Sequence, residues 1–316
     1  MNPVKADKSL PCAQSPWDSN LESELHRLQI EVDPDRVGEY RDPIQSRLKQ
    51  YGFALLKGIG FDSERAQIEA RLIELSNSLG TILPQSPRAE AIEDIKDYSD
   101  VDERDDRGYR SGGELSPHSD PPTIILLHCL QPARHGGESH IVNVKAIYQK
   151  MLSLDADLTQ VLFDGFPFWQ VAGHADMNEG GPATIKRPVF ARDKEVLSCV
   201  IYRPYIEKAA DALGTPLSQR EIEALDLFEV CANDPVLSLR FTLQPGETLL
   251  LHNRTVLHAR TDFKDWPELE RRRHLLRAWI DAPGLLPVSP CHELGDIFDG
   301  GIPLPPTFIQ ESTSGS

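Results

Sequence analysis

The residues best suited to chemistry are His118 and Asp120, which stand two apart in His118-Ser119-Asp120 and would project to the same side of an extended strand. An imidazole and a carboxylate on one side can share a metal ion. A third donor is available far down the chain in Leu257-His258-Ala259-Arg260, just beyond the aliphatic run Leu249-Leu250-Leu251. Two neutral imidazoles and one carboxylate on a single face of an octahedral ion leave coordination positions open, which is the donor set of non-haem iron(II) oxygenases. A structural site would be closed by a fourth ligand, and these segments supply none.

A lone His-x-Asp is commonly a solvated surface pair, so the elements around it carry the argument. Residues 100–117 contain many Asp, Arg, Gly and Ser and read as a loop bordering the site. Thr123-Ile124-Ile125-Leu126-Leu127 follows and reads as a buried strand. Ligands at a strand end, with a packed sheet behind them, have the rigidity a metal site requires. Pro245-Gly246-Glu247 predicts a tight reversal into Thr248-Leu249-Leu250-Leu251, the strand that leads to His258.

Four blocks together are more specific than any one of them: Glu114-Leu115-Ser116-Pro117-His118-Ser119-Asp120, Gly136-Gly137-Glu138-Ser139, His252-Asn253-Arg254-Thr255-Val256-Leu257-His258-Ala259-Arg260 and Arg273-His274-Leu275-Leu276-Arg277-Ala278-Trp279. In order and spacing the chain resembles the Fe(II)/2-oxoglutarate dioxygenases of the taurine dioxygenase (TauD/TfdA) and clavaminate synthase-like superfamily, from about Tyr51 to about Ile280. The resemblance implies Fe(II) held by His118, Asp120 and His258, with 2-oxoglutarate as co-substrate and O2 as oxidant. It implies hydroxylation of an unactivated C–H bond with release of succinate and CO2; desaturation, epoxidation or cyclisation would use the same oxidant. Asp120 stands where related halogenases keep a small residue, so halogenation is not expected.

The same resemblance distributes further roles. A dianionic co-substrate needs a fixed cation for its distal carboxylate, and the planar fork of Arg supplies one. Arg273 and Arg277 match the family's Arg-x-x-x-Arg, with Arg273 as the co-substrate cation. Their even spacing would turn both inward on a strand, so Arg277 either shares the co-substrate or meets an acidic group of the substrate. Arg271 and Arg272 read as a solvated strand start. Ser139 takes the place of a Thr that binds the co-substrate carboxylate, and it keeps the hydroxyl donor; the alternative is a turn residue bonded only to backbone. His252 competes with His258, being six residues away, but Asn253-Arg254 reads as a turn and the family's ligand precedes the small residue and Arg of Ala259-Arg260. His252 is then a core residue or one that supports the ligands from behind, and His26, His128, His135, His140, His174, His274 and His292 are structural or surface residues. Glu114, four residues before His118, is either a substrate contact or a solvated carboxylate.

The expected fold is mainly β with flanking helices, a double-stranded β-helix of the jelly-roll, cupin-like kind. Residues 1–30 read as an extension, 31–283 as one domain, and 284–316 as a Pro- and Gly-rich tail whose end is expected to be disordered. Helical periodicity appears over 35–50 and 64–79, with a strand at 51–57 between them. An insert over about 163–236, with a helix from Ser218 to Cys231, would cover the barrel mouth and could bring Trp169, Gln170, Tyr202 and Arg203 to the substrate.

The 316 residues carry 49 Asp and Glu against 33 Lys and Arg, a net charge of −16, which opposes binding to nucleic acid or an anionic membrane and favours a small-molecule partner. The early residues Lys5, Asp7, Lys8, Asp18, Glu22 and Glu24 interrupt any apolar leader, so a cytoplasmic enzyme is expected. Five cysteines without close spacing predict free thiols. Two other classes fit part of the pattern. A hydrolase or isomerase using the triad with another metal leaves Arg273 without a purpose, and a metal-binding jelly roll without turnover leaves the open positions unused.

Overall fold

The structure, a computed structural model, describes residue 17 and residues 21–60, 63–85, 90–98, 112–169 and 184–293. Its helices are α1 (Leu21–Leu28), α2 (Arg41–Tyr51), α3 (Arg65–Leu79), α4 (Val144–Leu154), α5 (Ala156–Val161), α6 (Arg203–Ala212) and α7 (Gln219–Ala232). In chain order the strands are β1 (Ile30–Glu31), β2 (Phe53–Lys57), β3 (Thr81–Leu83), β4 (Glu93–Lys96), β5 (Leu115–His118), β6 (Ile124–Gln131), β7 (His135–Gly136), β8 (Ser139–Asn143), β9 (Gly165–Trp169), β10 (Thr184–Pro188), β11 (Phe190–Asp193), β12 (Val196–Cys199), β13 (Ser238–Phe241), β14 (Glu247–His252), β15 (Val256–Arg260), β16 (Phe263–Lys264) and β17 (His274–Asp281).

Two sheets make the double-stranded β-helix. The larger runs β1-β2-β14-β6-β17-β3, with β4 also on β17; the smaller runs β13-β8-β15-β5. The run Leu249-Leu250-Leu251 on β14 shows why its strand is apolar on both faces. Leu249 and Leu251 join Ile125, Ile141, Val256 and Leu275 in the core between the sheets. Leu250, pointing the opposite way, joins Ile44 and Leu48 of α2 and Ile68 and Leu72 of α3. The N-terminal helices therefore buttress the larger sheet. A third cluster covers the outer face of the smaller sheet, where Val142 and Leu257 meet Ile147 and Met151 of α4 and Leu225 and Phe228 of α7.

Several boundaries differ from the sequence reading. The strand expected from Tyr51 begins at Phe53, because α2 runs through Tyr51 and ends at Gly52 in the left-handed conformation, φ 79°. A Cβ at Gly52 would come within 2.4 Å of Val256 Cγ2. The helix expected over 35–50 is a short 3-10 turn, Val37–Tyr40, followed by α2. The expected loop ends earlier than 117, since Leu115–His118 pairs with β15 as β5. The insert is more than a helix. It contributes two hairpins, β9–β10 and β11–β12, with α6 and α7, and its apolar residues pack on the smaller sheet. α7 starts where expected, at a capping box in which Ser218 and Glu221 satisfy each other's backbone N–H groups.

Cys129, Cys199 and Cys231 are buried free thiols and Cys291 is a partly exposed one. Among the described residues no helix is long and apolar enough to cross a membrane. Gln170 and the chain end after 293 lie outside the described residues.

Candidate metal centre and co-substrate pocket

His118 closes β5 and pairs directly with His258 on β15, so two neighbouring strands of the smaller sheet present imidazoles side by side, ring centroids 4.3 Å apart. Asp120 lies just past the end of β5. Its Oδ1 is 3.9 Å from His118 Nε2 and its Oδ2 3.8 Å from His258 Nε2. One donor atom from each of the three lies within 4.8 Å of the others, and the two His–Asp separations of 3.9 and 3.8 Å are ones that an ion at about 2.0–2.2 Å from each atom can span. His118 Nδ1 is 2.8 Å from the Ser116 carbonyl, which places the ring proton there and leaves Nε2 bare. Burial, with His118 alongside, pushes the His258 pKa down to about 3 despite Asp120. A neutral imidazole is the ligand form. Burial opposes charge on Asp120, but Arg277, His258, His118 and the Trp279 N–H together hold its carboxyl below the usual range.

The loop that carries Asp120 is clamped from both sides. Ser119 N donates to the Ile201 carbonyl at 2.9 Å, and Ile201 N donates back to Ser119 Oγ at 3.0 Å. The insert is thereby tied to the residue between the two ligands, and Tyr202 stands over His118 with ring centroids 5.5 Å apart. On the other side, Arg254 is fully buried; its Nη1 donates to the Asp120 carbonyl at 3.1 Å, Nη2 to that of Pro121, and Nε to that of His292 at 2.7 Å. Burial draws its pKa down to about 9, which leaves it a cation at neutral pH. Five donors in a fixed plane let one Arg hold three carbonyls at once.

His252 ends β14 in the larger sheet, while His258 sits in the smaller one, so their spacing of six does not bring them to one face. His252 is fully buried and bonds Thr255 Oγ1 through Nδ1 at 3.0 Å. Burial pushes its pKa down to about 3.

Arg273 immediately precedes β17 and is buried against Phe263, 5.5 Å from guanidinium carbon to ring centroid. Its backbone N donates to Asp265 Oδ2 at 2.7 Å. Among the described residues no carboxylate is hydrogen-bonded to its guanidinium, and burial lowers its pKa to about 10. Gly137, at φ 71°, gives it room: a Cβ there would stand 3.3 Å from Arg273 Nε. Ser139 opens β8, buried, across from Arg260, which is two residues past His258.

The even spacing of Arg273 and Arg277 does not give them a common partner. A register shift between His274 and Leu275 breaks the alternation. Arg277 turns to the triad instead: Nη1 is 3.3 Å from Asp120 Oδ2, and Nε donates to Gln85 Oε1 at 2.7 Å. Glu114 is exposed just before β5. Trp169 ends β9 with Lys208 Nζ 4.4 Å from its ring centroid. Arg203, expected to meet an acidic substrate, is engaged elsewhere, each of Glu207, Asp226 and Glu229 holding it at 2.7 Å. Helical spacing to Glu207 signalled this; the partners on α7 carried no signal. Trp279, Arg254 and Ser119 were missed as parts of the site, although Trp279 lies two residues from Arg277 on the same strand.

The family described as taurine catabolism dioxygenase TauD, TfdA matches residues 22–279. FR-33289 synthase of Streptomyces rubellomurinus is 29% identical over 240 residues, covering 73% of this chain and 69% of that protein. The taurine hydroxylase-like protein SAT17 of Stachybotrys chartarum is 31% identical over 180 residues, 53% of this chain and 44% of its own. Among solved structures, an asparagine oxygenase in complex with Fe(II), 3-hydroxyasparagine and succinate superposes with a TM-score of 0.57 at 16% identity, covering 81% of this chain and 94% of that one. At that identity the likeness is one of fold.

Proposed function

The chain belongs to the taurine catabolism dioxygenase TauD, TfdA family, and from that premise we propose that it hydroxylates an unactivated C–H bond of a small amino-acid-like or natural-product substrate, releasing succinate and CO2. The observation that carries this reading is Arg273, a buried cation with no carboxylate bonded to its guanidinium among the described residues, in the same fold as an open two-His, one-Asp site. Burying an unpaired charge costs several kcal/mol, roughly, so it is sustained where an anionic ligand completes it. A binding protein that needed only the metal would have no use for it.

In this reading His118, Asp120 and His258 hold Fe(II), while Arg273 and Ser139 hold the distal carboxylate of 2-oxoglutarate. When bound, iron and 2-oxoglutarate supply the oxidant that takes hydrogen from carbon. The chain's own residues bind, orient and exclude water. Arg277 holds Asp120 at 3.3 Å and stands ready for a carboxylate beside it. Tyr202 offers an aromatic wall with a hydroxyl that burial, and then the Asp120 charge, keep protonated, so it donates to substrate. Glu114 suits an ammonium and Trp169 an apolar or planar portion. Arg203 already faces three carboxylates and is assigned to the insert's packing. The names of the relatives support a natural-product or amino-acid substrate: a synthase in one case, an asparagine oxygenase in the other.

Incubation of iron-loaded protein with 2-oxoglutarate, O2 and a panel of amino acids, phosphonates and nucleotides tests it. The expected result is succinate formed in step with one substrate that gains one oxygen atom. Loss of two hydrogens instead would identify desaturation or cyclisation by the same oxidant. Folded, iron-loaded protein that forms no succinate above buffer with any compound favours the metal-binding jelly roll without turnover.

A further inference from the structure

β17 sends two side chains to a single carboxylate oxygen. Arg277 and Trp279 stand two apart on this strand and project to one face, and each of Arg277 Nη1 and Trp279 Nε1 lies 3.3 Å from Asp120 Oδ2. The Arg277 guanidinium carbon is 5.1 Å from the indole centroid, so the two packed groups approach the oxygen together. Trp279 is paired on both sides, with Ile125 of β6 and with Leu83 of β3, which fixes its backbone in mid-sheet. An indole N–H donates and never accepts, and it does not titrate. It therefore imposes one orientation on whatever acceptor it meets.

We propose that Trp279 is a positioning residue for the metal centre: its N–H, beside Arg277, anchors Asp120 Oδ2 and presets the carboxylate between His118 and His258. The inference rests on the reading above that Asp120 is a metal ligand. Asp120 lies beyond the last residue of β5, outside the sheet hydrogen bonding, so its backbone is held by Arg254 and its neighbour Ser119 by Ile201, while its side chain is held from β17. With Arg277 alone the carboxylate keeps a partner but gains freedom to turn. Arg277 is itself shared with Gln85, whereas among the described residues the indole N–H has Asp120 as its one acceptor. Groups that orient a ligand in this way typically govern metal affinity by about 10–100-fold.

The test is Mn(II) binding to the full chain, followed by the EPR signal of the free ion, for wild type, Trp279→Phe and Asp120→Ala. Mn(II) takes the same nitrogen and oxygen donors as Fe(II). Trp279→Phe keeps an aromatic ring and removes the N–H, and it should weaken Mn(II) binding by about 10–100-fold in a metal-free protein that keeps the wild-type circular-dichroism spectrum. Trp279→His, which restores a ring N–H donor, should recover part of the affinity. Unchanged binding in a folded Trp279→Phe protein, with Asp120→Ala weakened, overturns the inference and leaves the ligand assignment standing. Unchanged binding in Asp120→Ala overturns both. Should the Phe variant not fold, 15N-indole spectra read the bond in its place: one of the four indole resonances should move in Asp120→Ala, and four unmoved resonances would sink the proposal.

Discussion

His258→Ala should leave a folded protein that no longer loads Fe(II), whereas His252→Gln should load it with wild-type affinity and melt at a lower temperature. The two histidines are six residues apart, His252 fully buried and His258 partly exposed, and their environments are opposite. His258 Nε2 faces Asp120 at 3.8 Å and its ring meets that of His118. Removing it takes one of three donors, which should cost more than the about 10–100-fold typical of an outer partner. His252, at the end of β14, bonds Thr255 in the turn that follows, and losing that bond costs about 1–3 kcal/mol of stability. Equilibrium dialysis against Fe(II) under argon, with thermal melts of both variants, separates the effects. Iron retained by His258→Ala and lost by His252→Gln would reverse the assignment.

Arg273→Met carries the second large effect and a less obvious companion. The substitution removes the cation that would meet the distal carboxylate, and truncating one member of a buried charge pair costs about 2–5 kcal/mol, or roughly 30- to several-thousand-fold in 2-oxoglutarate affinity. Without ligand, however, wild type buries this charge with no carboxylate on its guanidinium among the described residues, and burial already pulls its pKa to about 10. Met fills similar volume without that penalty. The ligand-free variant should therefore melt at or above the wild-type temperature while the stabilisation that 2-oxoglutarate gives to iron-loaded protein disappears. A lower melting temperature with unchanged 2-oxoglutarate affinity would make Arg273 a structural residue.

The parts of the site that were legible in the sequence are those fixed by short-range periodicity. His118 and Asp120 could be paired because side chains alternate along an extended chain, and Leu249-Leu250-Leu251 after Pro245-Gly246-Glu247 announced a strand, though not that both its faces are covered. The start of α7 at Ser218 was legible too, and the structure gives an equally local reason in the capping box with Glu221. What stayed hidden was set by tertiary contact. Gly52 ends α2 in the left-handed conformation at a place where Val256, some two hundred residues on, stands 2.4 Å from where a Cβ would be. The register shift beside His274 separates Arg273 from Arg277, and no pattern of residue types encodes it. Arg254 looked like part of a turn until its guanidinium was found on the carbonyls of Asp120 and Pro121. Trp279 closed the last block without a role of its own, and Arg203 was expected at the substrate because Asp226 and Glu229 arrive from another helix.

The central claim is that one metal and one 2-oxoglutarate meet at His118, Asp120 and His258, with Arg273 behind them. Anaerobic titration of the iron-loaded protein with 2-oxoglutarate, followed through the weak visible charge-transfer absorption of the Fe(II) chelate, addresses it without a substrate. The account predicts that the band grows to saturation in wild type and is absent in Asp120→Ala. A well-folded, iron-loaded wild-type protein that develops no band at any 2-oxoglutarate concentration would contradict it.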